Sequence, residues 1–265
     1  MLKKDKVAVI TGASSGIGRA LSIQLVEQYK SQFICGRNTE SLEKLKVELQ
    51  SMGAEAIVVP LDLSKSSSVE SAAKSILDAS EKIDLLVNNA GVSQRSSVFD
   101  TSFEVEQNLF QINYFGPVLL SKLLLPSLRS SGNGKFLVTS SIVGKFGFPL
   151  RSTYSAAKHA LHGYFESLAL EEKSHGIKVH LMVVGRAKTS ISMNAVGKNG
   201  NKYAKMDKGQ AQGISTDECA SKMIRSMNNN KRESLIGGKE LLMVYFKKYL
   251  PFLFYKLAAK EENHV

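Results

Sequence analysis

The sequence predicts an α/β fold: a doubly wound parallel sheet of about seven strands with helices on both faces, in a single domain. Short apolar runs alternate with longer amphipathic stretches, which is the pattern of buried parallel strands separated by helices. A glycine-rich turn directly follows the first apolar run. The 265 residues are 43% hydrophobic, which is enough to bury one large core.

Seven apolar runs predict the strands, and the last of them is the weakest. In chain order they read KVAVIT, QFICG, AIVVPLD, IDLLVNNAG, KFLVTSS, KVHLMVV and SLIGG. Between them, amphipathic stretches predict helices at about 16–29, 38–52, 66–80, 102–129, 152–174 and 216–230. Because helices follow the strands throughout, neighbouring strands are expected to be parallel and joined by helical crossovers.

Two segments fall outside this alternation. Residues 194–213 are polar and glycine-rich, and a connection of that length in a compact fold predicts an active-site lid. Residues 241–257 are mostly aromatic and aliphatic, with three lysines as their charges. Pro251 is expected to divide this stretch into two short helical pieces, and the stretch is too short and too charged to span a bilayer.

The chain carries 35 basic and 24 acidic residues, and the net charge of +11 favours anionic partners. A phosphorylated cofactor, an acidic lipid surface and nucleic acid all meet this description. The lysines are spread over many segments, and neither zinc-finger spacing nor an RNA-recognition aromatic motif occurs, so no nucleic-acid partner is expected. Most of the charge is interpreted as a solvated surface.

The cysteines and the N-terminus indicate the compartment. Cys35 and Cys219 are too few for a disulfide framework, and neither has metal-ligand spacing with the five histidines, so no metal site is expected. The chain enters a strand pattern after six residues, without an apolar stretch long enough for a signal peptide or a spanning helix. A cytoplasmic location is therefore expected.

The TGASSGIG turn at 11–18 ends the first strand and opens the first helix, where an open α/β sheet binds a dinucleotide. Gly12 permits the tight turn, Gly16 lets the backbone approach a pyrophosphate, and Gly18 allows the helix to pack closely on the sheet. Backbone N–H groups at the helix start then face the phosphates. Glycines also serve plain turns, but strand, turn and helix in this order favour the dinucleotide site.

The YSAAK stretch places Tyr154 and Lys158 four residues apart in a predicted helix, so both side chains lie on one face. Of the eight tyrosines, only Tyr154 is followed by lysine at the fourth position. Taken alone, the pair is either a partly buried tyrosine beside a solvated lysine or half of an acid–base device. The other motifs of the chain decide between these interpretations.

Five motifs in register resemble those of the short-chain dehydrogenase/reductase family, over nearly the whole chain. They are TGASSGIG at 11–18, NNAG at 88–91, Asn113 in NYFG, Ser141 in SSIVG, and Tyr154 with Lys158 as Y-x-x-x-K. The thirteen-residue interval from Ser141 to Tyr154 also agrees. The resemblance implies a Rossmann-type fold. Residues 1–240 would form a dinucleotide-binding catalytic domain, and 241–265 an apolar, basic C-terminal extension.

The resemblance implies catalytic roles for Asn113, Ser141, Tyr154 and Lys158. Carbonyl reduction needs a proton on oxygen, and a tyrosine with an ordinary pKa of about 10 exchanges protons poorly near neutrality. Lys158 is expected to lower that pKa and to bond the nicotinamide ribose. Ser141 is expected to donate to the substrate oxygen, and Asn113 to anchor a water that links Lys158 to solvent. Ser140 is the alternative serine, but the interval to Tyr154 favours Ser141.

The end of the second strand indicates the form of the cofactor. NAD enzymes place an acid there for the ribose 2′-hydroxyl, whereas an arginine accommodates a 2′-phosphate. The stretch reads CGRN, so Arg37 predicts NADP(H) in preference to NAD(H), with a solvated loop charge as the alternative. The resemblance places Asp62 and Leu63 at the adenine, and the alternative for Asp62 is a helix cap.

The residues expected to contact the cofactor come from every motif. They are Gly12, Ser14, Ser15, Gly16, Ile17, Gly18, Arg37, Asp62, Leu63, Asn89, Ala90, Gly91, Asn113, Tyr154, Lys158, Gly185 and Thr189. One stretch departs from the family pattern, because VVGRAKT has Val184 where proline is usual, while Gly185 and Thr189 are retained. This departure predicts a less rigid turn beside the nicotinamide.

The expected activity is hydride transfer between NADP(H) and a lipophilic carbonyl or alcohol, such as a steroid-, retinoid- or lipid-like ketone or aldehyde. A 3-oxoacyl thioester reductase and a non-catalytic NADP-binding scaffold are the alternatives. The resemblance also implies a dimer or tetramer formed through helix faces. For residues 241–257 we expect peripheral contact with a membrane surface, with a cover over the core or a subunit interface as the alternative.

Overall fold

A computed structural model describes residues 6–205 and 207–260, and these form one seven-stranded sheet with helices around it. The strand order is β3-β2-β1-β4-β5-β6-β7, with parallel pairing throughout. The strands are β1 Val7–Thr11, β2 Ser31–Gly36, β3 Glu55–Pro60, β4 Leu85–Asn88, β5 Lys135–Ser141, β6 Lys178–Val184 and β7 Glu233–Ile236. The predicted doubly wound α/β fold is confirmed. The ends of the predicted domain and extension, 1–5 and 261–265, lie outside the described residues.

Ten α-helices connect or follow the strands in the described part of the chain. They are α1 Gly16–Gln24, α2 Thr39–Ser51, α3 Ser66–Ala79, α4 Phe103–Phe110, α5 Gly116–Ser130, α6 Ser152–Glu171, α7 Lys208–Ala211, α8 Thr216–Asn228, α9 Leu242–Tyr249 and α10 Pro251–Lys260. Side-chain caps begin several of them: the Asn38 side chain accepts a hydrogen bond from the Ser41 backbone at the start of α2.

Both faces of the sheet are buried, and β1 shows this most directly. Val7 and Val9 join the apolar cluster beneath α3, α5 and α6. Ala8 and Ile10 join the cluster beneath α1, α2 and α8. Because successive side chains of a strand point to opposite faces, an uninterrupted apolar run requires helices on both sides. This arrangement explains why the strands read as continuous apolar runs.

The strand order reverses at β1, which pairs with β2 on one side and with β4 on the other. In open α/β sheets the crevice at such a reversal, beyond the carboxyl ends of the strands, is where ligands bind. β1 ends at Thr11, β4 at Asn88 and β5 at Ser141. The chain therefore brings the glycine-rich turn, the NNAG motif and Ser141 to one edge of the sheet.

The predicted helix at 102–129 is interrupted. A one-turn π-helix at Gln111–Phe115 separates α4 from α5, and it contains Asn113. Pro117 follows at the start of α5, where its missing N–H and fixed φ suit a new helix start. Such π segments often occur at functional sites, because the extra residue turns a side chain away from the regular helix face.

Pro251 divides the C-terminal stretch as predicted, into α9 and α10. Phe254 is only 1% exposed, and its ring centroid lies 4.9 Å from that of Phe146. These two rings belong to an apolar cluster that also contains Tyr154. The extension therefore packs against the segment between β5 and α6, in the same apolar cluster as Tyr154. Within the described residues, no helix is long and apolar enough to cross a membrane.

The packing of α10 gives a stability prediction. Phe254→Ala should lower the free energy of unfolding by about 3–5 kcal/mol, because it leaves a cavity against Phe146. Phe252→Ala is the matched control. That ring is 83% exposed, so the change should stay within about 0.5 kcal/mol. Urea unfolding of the two variants checks this, and equal losses would contradict the packing of α10.

Candidate active site

The glycine-rich turn forms a cradle in which side chains are excluded. Gly12 has a φ of 69° and Gly16 a φ of 57°, both in the left-handed region that favours glycine. A Cβ at Gly18 would clash with the carbonyl oxygen of Gly12. The α1 helix can therefore start directly against the end of β1, and its first N–H groups face the crevice. This geometry fits the pyrophosphate of a dinucleotide.

The NNAG motif is fixed to the same turn through Thr11. The Thr11 hydroxyl oxygen accepts hydrogen bonds from the backbone N–H groups of Asn89 at 3.0 Å and Ala90 at 3.1 Å. The Asn89 side chain donates to the Thr11 carbonyl at 3.1 Å. Two predicted cofactor motifs, 77 residues apart along the chain at Thr11 and Asn88, thus form one rigid unit.

Gly91, Asn113 and Lys158 meet at the centre of the site. A Cβ at Gly91 would lie 2.7 Å from the Asn113 Oδ1 atom and 3.6 Å from the Lys158 ammonium. Asn113 is fully buried, and its side chain accepts from the Val92 N–H at 3.2 Å and donates to the Val92 carbonyl at 3.0 Å. Lys158 donates to the Thr139 carbonyl at 2.9 Å. Glycine at position 91 therefore leaves the space that the Asn113 side chain occupies.

The two serines at the end of β5 have different partners. The Ser140 hydroxyl lies 2.8 Å from Nε2 of His162, within the buried interior. The Ser141 side chain hydrogen-bonds the Tyr154 side chain. Only Ser141 therefore faces the predicted acid–base pair, which agrees with the choice made from the spacing.

His162 also brings acidic groups together on the far side of Ser140. Its Nδ1 atom lies 3.3 Å from a carboxylate oxygen of Glu233 and 3.9 Å from one of Glu166. Such a set could hold a cation. However, the Lys145 ammonium already contacts Glu233 at 2.5 Å. Hydrogen bonds from His162 and Lys145 lower the pKa of the Glu233 carboxyl to about 2. These side chains therefore form an ion-paired network behind the site.

Burial dominates the electrostatics of the predicted pair. Tyr154 is 8% exposed, and burial raises its pKa above the ordinary value, against the lowering effects of Ser141, Arg95 and Arg151. Burial also lowers the pKa of Lys158 to about 8. The Lys158 ammonium lies 5.7 Å from the centroid of the Tyr154 ring. The sequence predicted that Lys158 lowers the pKa of the Tyr154 phenol. In the structure the net shift of that pKa is upward, and the charges that oppose it come from Arg95 and Arg151.

The sequence patterns did not identify Arg95 and Arg151 as residues of the site. Arg151 lies three residues before Tyr154, directly ahead of α6, while Arg95 follows the NNAG motif. Both pair with Asp207 of the predicted lid, residues 194–213. The one available signal was the arginine in RSTY, next to the catalytic motif. The pairing itself joins residues more than fifty positions apart and has no local pattern.

Arg37 and Asp62 lie near each other beyond the ends of β2 and β3. Burial alone would raise the pKa of the Asp62 carboxyl, but hydrogen bonds from Ser64 lower it, and the charge of the exposed Arg37 adds to that lowering. The Asp62 side chain accepts from the Ser64 N–H at 3.1 Å and from its hydroxyl at 2.7 Å. The residue at the N-cap of α3 is Lys65, so the alternative role of Asp62 as a helix cap is wrong.

The turn after β6 is held by a residue from the C-terminal region. The Glu240 carboxylate accepts from the Arg186 N–H at 2.7 Å and would clash with any Cβ at Gly185. Thr189 then packs close to the cradle, since its Cγ2 atom lies 3.3 Å from the Cβ position of Gly16. Val184 replaces the usual proline here, but the carboxylate fixes the turn from outside. The sequence predicted a less rigid turn because it gave no sign of the contact between Glu240 and the Arg186 N–H.

The predicted lid packs over the crevice. Val196 pairs with the segment after NNAG: its N–H donates to the Ser93 carbonyl at 2.8 Å, and its carbonyl accepts from the Arg95 N–H at 2.9 Å. A cavity of about 450 Å³ lies between the glycine-rich turn and residues 188–190, 211 and 216. It is lined by Gly16, Lys188, Thr189, Ser190, Ala211 and Thr216. Residue 206 of the lid lies outside the described residues.

Comparison with known sequences identifies the family. Residues 6–200 match the family model described as short chain dehydrogenase. The chain belongs to the short-chain dehydrogenase family, which is a family of oxidoreductases. A protein of Xenopus tropicalis, dehydrogenase/reductase SDR family member 7B, is 37% identical over 263 residues, which cover 97% of this chain and 85% of that protein. A Drosophila melanogaster protein, described as dehydrogenase/reductase SDR family protein 7-like, is 33% identical over 96% of this chain and 80% of its own length.

Solved structures share the fold. A short-chain dehydrogenase from Streptomyces avermitilis has a TM-score of 0.82 at 27% identity, covering 100% of this chain and 98% of its own. An alcohol dehydrogenase from Thermococcus sibiricus, complexed with 5-hydroxy-NADP, has a TM-score of 0.76 at 27% identity over 89% of this chain and 98% of its own. The predicted family membership is confirmed by these matches.

The different partners of the two serines give a matched pair of variants. Ser141→Ala should lower the kcat of the oxidoreductase reaction by about 10²–10³, because it removes the hydroxyl that the family resemblance assigns as the donor to the substrate oxygen. Ser140→Ala keeps that donor and loses only a contact with His162, so its kcat should stay within a few fold of wild type. Steady-state kinetics of both variants checks this, and a larger loss for Ser140→Ala would reverse the assignment.

Proposed function

We propose that the protein is an NADP(H)-dependent carbonyl reductase or alcohol dehydrogenase in which Tyr154 is the general acid/base. The observation that supports this best is the Ser141–Tyr154 hydrogen bond, formed one helical turn from the buried ammonium of Lys158. This group lies at the carboxyl edge of the sheet, next to a glycine cradle of the shape a dinucleotide needs. Position, residue types and family thus support the same chemistry.

The residues of the chain would divide the reaction among them. Bound NADP(H) supplies the hydride. Ser141 donates a hydrogen bond to the carbonyl oxygen and stabilises the charge that develops there. Tyr154 then gives its proton to that oxygen, and its raised pKa keeps the phenol protonated before transfer. Lys158, held by the Thr139 carbonyl, holds the ribose. Asn113 keeps Gly91 and the adjoining backbone in place.

The apolar cluster around Tyr154 supports a lipophilic substrate. Phe146 and Phe254 belong to that cluster and are almost fully buried, so Tyr154 lies in apolar, aromatic surroundings. A steroid-, retinoid- or lipid-like ketone or aldehyde would bury apolar area there. A 3-oxoacyl thioester reductase would use the same four residues, and turnover of a coenzyme A thioester would identify it. A non-catalytic scaffold would show no turnover with any carbonyl.

The acid–base role is tested by Tyr154→Phe. We expect kcat to fall by about 10²–10⁴ while the affinity for NADPH changes little, because only the proton donor is removed. Tyr164→Phe, ten residues along the same helix and half-buried against other rings, is the control and should keep normal turnover. A screen of ketones, aldehydes and alcohols, followed by nicotinamide absorbance, supplies the substrate. Near-normal turnover by Tyr154→Phe would contradict the role.

The preference for NADP(H) is supported by the exposed arginine at the end of β2, where an acid would bind the ribose of NAD. The Thermococcus sibiricus enzyme was solved with a derivative of NADP, while a short-chain dehydrogenase from Burkholderia phymatum was solved with NAD. The fold accommodates either cofactor, so the choice depends on the residues at this position.

Arg37→Ala should weaken NADPH binding by about 10–100-fold, the usual loss for one charge-assisted hydrogen bond, and leave NADH binding nearly unchanged. Arg19→Ala is the control, because that arginine is paired with Glu48 in α2. Dissociation constants for both cofactors, measured by fluorescence titration, check the difference. An equal loss for NADPH and NADH would assign Arg37 a structural role.

We also propose that α9 and α10 contact a membrane surface peripherally. Phe252 is 83% exposed, Tyr249 64% and Leu250 53%, and lysines lie among them. Apolar rings with flanking lysines suit the interface of an anionic bilayer. Assembly into a dimer or tetramer through helix faces, with this segment covered by a second subunit, remains the alternative.

Liposome flotation tests the membrane contact. The wild-type protein should float with anionic vesicles at low salt, and Leu250→Ser with Phe252→Ser should not, because the inserted apolar area is lost. Phe254 is left unchanged, since it is buried against Phe146. Val98→Ser with Phe99→Ser is the control, because those residues are even more exposed but lie elsewhere. If the wild type stays in the soluble fraction, the membrane contact is wrong.

A further inference from the structure

Arg95, Arg151 and Asp207 form a charged cluster beside the candidate active site. The Arg95 Nε atom donates to the Asp207 carboxylate at 3.0 Å, and its Nη2 atom donates to the same carboxylate. Arg151 donates to that carboxylate at 3.2 Å. Two guanidinium groups from the body of the protein therefore share one carboxylate from the lid.

The cluster carries more positive charge than its partner balances. The Arg95 side chain is 4% exposed, and those of Arg151 and Asp207 are each 22% exposed. Among residues 6–205 and 207–260, Asp207 is the one carboxylate that forms an ion pair with either arginine. The charge of Arg186 also acts on Arg151. Burying surplus cations is costly unless an anion completes the site.

The cluster is held rigidly beside Tyr154. Arg95 donates to the Ser93 hydroxyl at 2.7 Å and to the Gln94 carbonyl at 2.5 Å. The Gln94 side chain accepts from the N–H groups of Thr153 at 3.0 Å and Tyr154 at 3.2 Å. The segment that positions Arg95 thus also holds the first turn of α6. Both arginine charges act on the Tyr154 phenol.

Asp207, in contrast, comes from the lid. It precedes the four-residue helix α7, and its side chain is partly exposed at the edge of the cluster. The two arginines are held by the sheet edge and by α6, whereas this carboxylate lies on the connection before α7, where the Asp207 N–H donates to the Ser192 hydroxyl at 3.4 Å. An internal carboxylate bound by two arginines resembles a bound anionic ligand in its chemistry.

We propose that Arg95 and Arg151 bind an anionic group of the carbonyl substrate, a carboxylate or a phosphate, and that Asp207 occupies this position until the substrate displaces it. This inference rests on the proposed function and adds a substrate class to it. Paired guanidinium groups provide donors in a planar fork, which both carboxylate and phosphate oxygens accept. The anion would be held on the Tyr154 side of the crevice, with the reacting carbonyl between it and the cofactor.

Binding of three small ketones to the NADP⁺-loaded protein tests the proposal. They are 4-acetylbenzoate, its methyl ester and 4-acetylphenyl phosphate, measured by isothermal titration calorimetry. The wild type should bind one or both anions at least tenfold more tightly than the ester, and the better anion distinguishes a carboxylate site from a phosphate site. Equal affinities for all three, or no detectable binding of either anion, would overturn the proposal.

Two variants are expected to change the affinity for the anion in opposite directions, which distinguishes an effect on binding from misfolding. Arg151→Met should lower the affinity for the preferred anion at least tenfold and leave the ester unchanged. Asp207→Asn should raise the affinity for that anion, because the competing carboxylate is gone, and a misfolded protein cannot give this gain. Weaker anion binding by Asp207→Asn would show that Asp207 helps to hold the ligand and does not compete with it, and this would overturn the proposal.

Two further variants complete the test. Arg129→Met removes an arginine that pairs with Glu172 outside the site, so it should change neither affinity. Tyr154→Phe should keep the preference for the anion while it loses turnover. If the anion preference persists but no carbonyl is reduced by the wild type, the proposed function fails and the anion site stands. If the wild type reduces carbonyls but shows no preference for the anion, the proposed function stands and the anion site is wrong.

Discussion

The buried hydrogen bond from the Lys158 ammonium to the Thr139 carbonyl is the interaction on which the site depends. It joins α6 to the end of β5, and Tyr154 lies one helical turn earlier on the same helix, so the contact fixes the phenol against Ser141. A buried cation needs such a partner, and its position therefore sets the geometry of its neighbours.

Much of this arrangement follows from local patterns. The apolar runs predicted every strand of the sheet, because a strand covered on both faces must be apolar throughout. The glycines of the first turn predicted a close approach that the structure shows at Gly18, where a Cβ would meet the Gly12 carbonyl. The interval of thirteen positions from Ser141 to Tyr154, which matches the family pattern, predicted the serine that faces the phenol. These features depend on residues near one another in sequence or on one face of one element.

The features that could not be predicted join distant segments. The π-helix around Asn113 interrupts a stretch whose periodicity indicates one helix, and its effect is visible only when that side chain meets Val92. Glu240 fixes the turn at Gly185, 55 positions earlier, and takes the place of a missing proline. The pairing of Asp207 with Arg95 depends on how the lid folds back over the crevice. No periodicity or spacing carries such information.

The charge around the phenol links the lid to the chemistry. Burial raises the pKa of Tyr154, while Arg95 and Arg151 lower it. If both arginines faced the phenol without an anion, together with Lys158, they would favour the phenolate and weaken the proton donor. The Asp207 carboxylate offsets this charge while the lid holds it in place. An anionic substrate group at the same position would offset it equally, so the exchange of one anion for another keeps the proton on Tyr154 until the carbonyl is in place.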